Sequence, residues 1–252
     1  MNSCILLTHV FIEDGQQEKI DQLKFSTAHY RKYNPDAYII LVGHGLNPNV
    51  DNECDRLIWY DEINKDDIGV GHPYLTNVGL NHATEMGFTH VCKQRADGIH
   101  LKNNILEYCE QSLETGKKIL TTQETSFQKK HMGDLFIFGE TEFLKKCYDI
   151  STWYPTDTGL TSLANNFENS CPEKDWVSCL KNNCSFKDTF SLRWIDLRQN
   201  WQHLKYDLDN LMLNALKDFH KYIWSDGKYD WSKRGKLLRN EFPVETEKTW
   251  YA

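Results

Sequence analysis

The chain has 252 residues, 40% of them hydrophobic and 13% aromatic, enough to fill the core of one large α/β domain, so global disorder is excluded. A formal charge of −7 and a pI near 5.8 argue against a general nucleic-acid binder, which presents a basic face. No run approaches the roughly 18–20 apolar residues of a membrane helix, so no transmembrane segment is expected.

Cys4-Ile5-Leu6-Leu7-Thr8 is a continuous apolar run, the pattern of a strand covered on both faces. The residues before it carry no basic n-region, so a buried strand fits better than a signal peptide. Asp14-Gly15 breaks the chain, and Ile20, Leu23, Phe25 and Ala28 then recur near helical spacing until Asn34-Pro35. Tyr38–Val42 and Leu57–Tyr60 read as further buried strands. Pro73 opens a second helix, with Leu75, Val78, Leu80 and Ala83 as its apolar side, and Thr89–Cys92 is the fourth strand. Ile105–Leu113 and Glu140–Tyr148 are predicted helices, with strands at Lys118–Thr121 and Asp134–Phe138. Ser151–Pro172, rich in Thr, Asn, Ser and Pro, is expected to be a loop, and a last helix is expected from about Leu204 to Trp224.

Strand and helix alternate through the first hundred residues, which favours a parallel sheet with helices on both faces. Ligands on such sheets bind beyond the carboxyl ends of the strands. Thr8-His9, Gly43-His44, Asp61-Glu62 and Arg95–Asp97 all fall there. Eight cysteines are scattered along the chain with no CxxC, and Cys171, Cys179 and Cys184 lack regular zinc-ligand spacing. They are read as reduced thiols of a cytoplasmic protein, the alternative being a pairing within that later group.

No Walker loop and no GxGxxG follows the first strand, and no GxSxG elbow occurs. The informative stretch is Asn77-Val78-Gly79-Leu80-Asn81-His82-Ala83, then Gly87 and the strand leading into Lys93-Gln94-Arg95-Ala96-Asp97. Here the chain resembles GT-A nucleotide-sugar glycosyltransferases, with an Asn-x-Gly helix, an apolar strand and then a DxD-type element. Lys93-x-Arg95-x-Asp97, Gly133–Gly139 and Pro172-Glu173 narrow the resemblance to WavE-type lipopolysaccharide-synthesis proteins and related viral glycosyltransferases, over roughly residues 3 to 180.

The resemblance implies a GT-A, Rossmann-like α/β fold with a mixed, mainly parallel sheet. Residues 1–200 would form the nucleotide-sugar-binding and catalytic domain, and 201–252 a helix and tail packed on it. It implies a nucleotide-sugar donor, most simply a UDP-sugar, a glycan or lipopolysaccharide-like acceptor, and a divalent cation, Mn²⁺ or Mg²⁺. A cation bridging two phosphates stabilises the charge that gathers on the leaving group, and hard cations need only one or two protein carboxylates. Asp97 is the expected metal ligand. Arg95 departs from the family pattern by standing at the first DxD carboxylate, and its partner is either a phosphate or Asp97 itself.

Thr8, His9, Asp61, Asn77, Asn81, Lys93 and Arg95 are the positions that match nucleotide-binding elements; for His9 the alternative is a satisfied strand-end histidine, and for Lys93 a solvated lysine. Asp134 and Glu173 are the candidates on the acceptor side, where a carboxylate takes the acceptor's hydroxyl proton. For Glu173 the alternative is a helix-start carboxylate favoured by the dipole. Trp201, Trp224, Trp231 and Trp250 read as packing residues more readily than sugar platforms, and His203 and His220 as surface or packing histidines. Two competing functions remain at this level: a nucleotidyltransferase activating a sugar phosphate, and a non-catalytic carbohydrate-binding domain on a transferase scaffold.

Overall fold

A computed structural model of the chain describes residues 1–8, 12, 15–50, 52–61, 71–100, 103–122, 136–152, 159–173, 175–187 and 194–197. The apolar runs become the strands β1 (Ser3–Thr8), β2 (Tyr38–His44), β3 (Arg56–Tyr60) and β4 (His90–Arg95), the last extending beyond its apolar stretch. Helix α1 (Gln17–Tyr33) follows β1, and α2 (Gly71–Glu85) leads to β4. A three-residue strand β5 (Gly98–His100) precedes α3 (Ile105–Ser112) and β6 (Ile119–Thr122). Then come β7 (Phe136–Glu140), α4 (Thr141–Cys147), a 3-10 turn (Ile150–Thr152), α5 (Gly159–Asn169), α6 (Trp176–Asn183), β8 (Cys184–Lys187) and β9 (Trp194–Asp196).

The main sheet has seven strands in the order β3-β2-β1-β4-β7-β6-β8. Strands β1 to β4 are mutually parallel, β7 runs against both its neighbours, and β8 is parallel to β6. The expected mixed, mainly parallel, Rossmann-like sheet flanked by helices is therefore what forms. From β1 the chain builds outward through β2 and β3, then returns to place β4 on the other side of β1. That reversal is a topological switch point, and it opens the sheet's crevice at the carboxyl ends of β1 and β4.

Alternation along the strands sorts the core into two layers. Ile5, Leu7, Ile39, Leu41, Cys92 and Phe138 pack with Leu23 and Tyr30 of α1. Cys4, Leu6, Ile40, Val42, Val91 and Ile137 pack on the other face with α2, α4, α5 and α6. Helix α2 approaches β1 closely at Gly79, where a Cβ would lie 2.3 Å from a Leu6 methyl. Gly45 closes β2 at φ +94°, and a Cβ there would meet the Ile12 carbonyl at 2.2 Å. Only glycine fits there, where Ile12 runs beside the end of β2 in a parallel bridge.

Two expectations are corrected. The segment Ser151–Pro172 is not all loop, because α5 buries Leu163, Ala164 and Phe167 against α4 and Trp176. That stripe is short and lies among Thr, Asn and Ser, which hides it in the composition. Cys171 and Cys179 form a disulfide joining the end of α5 to α6, while Cys4, Cys54, Cys92, Cys109, Cys147 and Cys184 are buried and outside any disulfide. The helix expected at 204–224 and the rest of 201–252 lie outside the described residues. Among the described residues, no helix is long and apolar enough to cross a membrane.

Candidate functional site

Thr8 and Arg95 are register partners across the β1–β4 pair, so the switch point brings both to one crevice. Thr8 is fully buried and its hydroxyl lies 3.3 Å from His72 Nδ1 at the start of α2. The first turn of α2 carries no acidic residue, so its partial positive end, at the same crevice, is not offset from within that turn. Ala96 N–H donates to the Thr8 carbonyl at 2.9 Å, which extends the β1–β4 ladder to the turn holding Asp97.

Arg95 and Asp97 form a two-pronged ion pair. Nε donates to Oδ1 at 3.1 Å and one terminal guanidinium nitrogen, Nη2, to Oδ2 at 2.5 Å. The side chains are 17% and 10% exposed, so the pair stands largely out of water, where charge-assisted hydrogen bonds are strong. The Asp97 carbonyl accepts from Leu197 N–H at 2.8 Å, and β5, which follows at once, pairs with β9. Backbone and side chain together fix the turn.

Lys93 lies on the same face of β4 as Arg95, two residues earlier. It is fully buried, with Nζ 5.8 Å from the centre of the Tyr148 ring, so it is not the solvated lysine that was the alternative. His44 ends β2 on this face and is also buried, which holds its pKa below the ordinary histidine value. His72 and Tyr148 were not singled out from the sequence, whereas Gly43-His44 was placed there at a strand's carboxyl end. The Gly71-His72-Pro73 helix start and the strand-end position of His44 are the local signals that pointed to this end of the sheet.

The other sequence candidates disperse. Asn77 donates to the Tyr148 carbonyl at 2.9 Å, and Asn81 donates to Asn77 Oδ1 at 3.1 Å, so the pair ties α2 to the chain after α4. Asp61 is exposed just beyond β3, at the sheet's edge. His9 and Asp134 lie outside the described residues.

Glu173 is placed at the opposite end of the sheet. It accepts from Asn182 Nδ2 at 3.1 Å and Asn183 Nδ2 at 3.2 Å, and these asparagines immediately precede β8. Cys184 aligns with Ile119, Ile119 with Gly139, Gly139 with Val91, and Val91 with Cys4, the amino end of β1. Four residues along the strands and three strand spacings put Glu173 on the order of 20 Å from Arg95. Its pKa is lowered, chiefly by the Asn182 hydrogen bond, and it works as a brace between the α5–α6 turn and the end of α6. The neighbouring Asp175, rather than Glu173, caps α6, accepting from Ser178 N–H at 2.9 Å.

A divalent cation at Asp97 would need one of its carboxylate oxygens, and Arg95 engages both. Among the described residues the one group of three ligand-type side chains is Cys171, Glu173 and Cys179, at the far end and with its sulfurs joined. The donor set described around Asp97 does not fit the expected cation.

No protein-family model and no curated protein matches the sequence. Solved structures do match. A cytidylyltransferase from Leptospira borgpetersenii aligns with a TM-score of 0.53 and 13% identity, covering 91% of this chain and 100% of its own. A glycosyltransferase involved in glycosylation of the major capsid of PBCV-1 aligns at 0.46 and 11%, covering 80% and 90%. A protein described as a nucleotide-diphospho-sugar transferase from Desulfovibrio desulfuricans aligns at 0.46 and 10%, covering 99% and 98%. At such identities the likeness is one of fold, and among the three only the cytidylyltransferase passes a TM-score of 0.5. The fold class is thus a Rossmann-like α/β architecture, shared with that cytidylyltransferase.

Proposed function

We propose that the chain is a glycosyltransferase that binds a nucleotide-sugar donor, most simply a UDP-sugar, at the crevice between β1 and β4 and transfers the sugar to a hydroxyl of a glycan or lipopolysaccharide-like acceptor. The observation that carries the reading is the convergence of Thr8, His72 and the Arg95–Asp97 pair at the switch point of the sheet. In the reaction the bond from the sugar's anomeric carbon to the phosphate oxygen breaks, and the nucleoside diphosphate leaves with the electron pair. The acceptor oxygen takes its place and gives up its proton to a base. Arg95 and the first turn of α2 meet the growing negative charge without moving, which is the condition under which fixed charges help most.

Glu173 stands too far from this crevice to serve as the base. Asp134 is the carboxylate left for that role in this reading.

The test is nucleoside diphosphate release from a panel of UDP- and CDP-sugars, with and without oligosaccharide acceptors, beside calorimetric binding of UDP and CDP. Release that depends on acceptor supports the reading. Pyrophosphate formed from a nucleoside triphosphate and a sugar 1-phosphate would instead assign a nucleotidyltransferase, and binding without any turnover a carbohydrate- or nucleotide-binding domain. Folded protein that binds neither nucleotide rejects the site.

A further inference from the structure

We propose that Arg95, held in place by Asp97, supplies the positive charge that the donor diphosphate meets, and that nucleoside diphosphate binding is therefore independent of divalent cations. This rests on the nucleotide-sugar reading above and changes what assists it. An arginine carries five N–H donors in a rigid fork. Asp97 takes one from Nε and one from Nη2, which fixes the plane of the guanidinium. Nη1 makes no hydrogen bond among the described residues, so donors remain for phosphate oxygens without breaking the existing pair.

A cation bound at Asp97 faces the opposite situation. It would have to draw on the remaining lone pairs of a carboxylate already held by a guanidinium, and sit beside that same positive charge. A phosphate oxygen gains the guanidinium's free edge, whereas a metal ion loses to it. The chemistry balances without a metal ion: the diphosphate leaves with the electron pair of the broken bond, and arginine donates hydrogen bonds to it without transferring a proton. Asp97 is then a positioning residue, aiming Arg95, where the resemblance alone made it a metal ligand.

The test is calorimetric titration of the full chain with UDP and CDP, in excess EDTA and again in Mn²⁺. The expected result is a dissociation constant in EDTA within about twofold of that in Mn²⁺, because the charge that binds is part of the chain. Arg95→Lys keeps the charge and loses the fork, and should weaken binding at least about tenfold in both buffers. Asp97→Asn should weaken binding by the same factor with and without the metal. Binding that vanishes in EDTA and returns with Mn²⁺, with the Mn²⁺ effect lost in Asp97→Asn, overturns the proposal and leaves the glycosyltransferase reading standing. Arg95→Lys binding as tightly as the parent protein also overturns it. No binding in either buffer by folded protein removes the nucleotide site itself, and the two failures are thereby told apart.

Discussion

At the carboxyl end of β4 the carboxylate of Asp97 is gripped by a guanidinium; at the opposite end, before β8, that of Glu173 is gripped by two asparagine amides. Both residues read alike in the sequence, as acids beside an element boundary. Their surroundings differ in kind. Asp97 is 7% exposed and shares its crevice with Thr8 and the start of α2, so its charge is compensated in the crevice proposed for the nucleotide. Glu173 accepts only neutral donors on a braced turn, near the disulfide that joins α5 to α6. In the proposed reading, a functional carboxylate is distinguished less by its neighbours in the chain than by which end of the sheet its strand delivers it to.

The difference is broken most forcefully at the Arg95–Asp97 pair. Arg95→Gln leaves a mostly buried carboxylate without its cation and should cost about 3 kcal/mol of stability. Asp97→Asn alone should cost less, since Arg95 is the more exposed partner. In the double variant the orphaned charge is gone, so the losses should fall short of their sum by at least about 1 kcal/mol. Urea unfolding of the four proteins measures this, and strictly additive losses would show that the pair contributes no coupling.

How much of this was legible in the sequence follows from what each strand buries. Strands β1 and β2 announced themselves because strands covered on both faces are nearly continuous apolar runs, whereas β3, read as buried, is an edge strand that is only half-buried. The last residues of β4 did not. Lys93 and Gln94 are polar yet buried, Lys93 over the Tyr148 ring and Gln94 accepting from the Tyr30 hydroxyl, and both partners come from distant segments. The Arg95–Asp97 contact was one of the two readings open for Arg95, since residues two apart on a strand end share a face. The position of Glu173 could not be read, because it depends on β8 pairing with β6 across a chain reversal at β7. Helix α5 was lost for a local reason, its apolar stripe being short and set among turn-forming residues.

A second, somewhat smaller effect sharpens the account of the Asp97 end through pH. His29 of α1 bonds the His100 carbonyl at 2.8 Å, and Ser26 bonds that of Gly98, so together they fasten β5, the strand that follows Asp97. Burial, only partly opposed by the carbonyl contact and reinforced by Lys32, lowers the His29 pKa to about 4 from 6.5. Between those values the unfolded chain binds a proton that the folded chain refuses, so stability is fully present above pH 6.5 and falls as the pH drops towards 4. The full window corresponds to a loss of up to about 3 kcal/mol. His44, His82 and His90, also lowered by burial, add in the same direction. Urea midpoints from pH 8 to 4 should therefore slope in the parent protein and flatten in part in His29→Gln. An equal slope in both would remove His29 as a cause.

The smallest effect is the most discriminating, because it is expected to be nearly nothing. Glu173→Gln keeps a carbonyl to accept from Asn182 or Asn183 and removes only the charge. If Glu173 is a brace, the variant should keep donor binding and the rate of sugar transfer unchanged within about twofold, since neither the crevice nor its charges are touched. Acid should also matter less to it: the lowered pKa means that the charged form stabilises the fold above the ordinary carboxylate range, and that contribution is lost as pH falls through the lowered value. A base that takes the acceptor proton behaves otherwise. Its loss would reduce turnover by about 10² or more while donor affinity stayed intact. That outcome would require the chain to bring the end of α6 to the Asp97 crevice during the reaction, and the separation of the two ends of the sheet, on which the contrast rests, would not hold in the working enzyme.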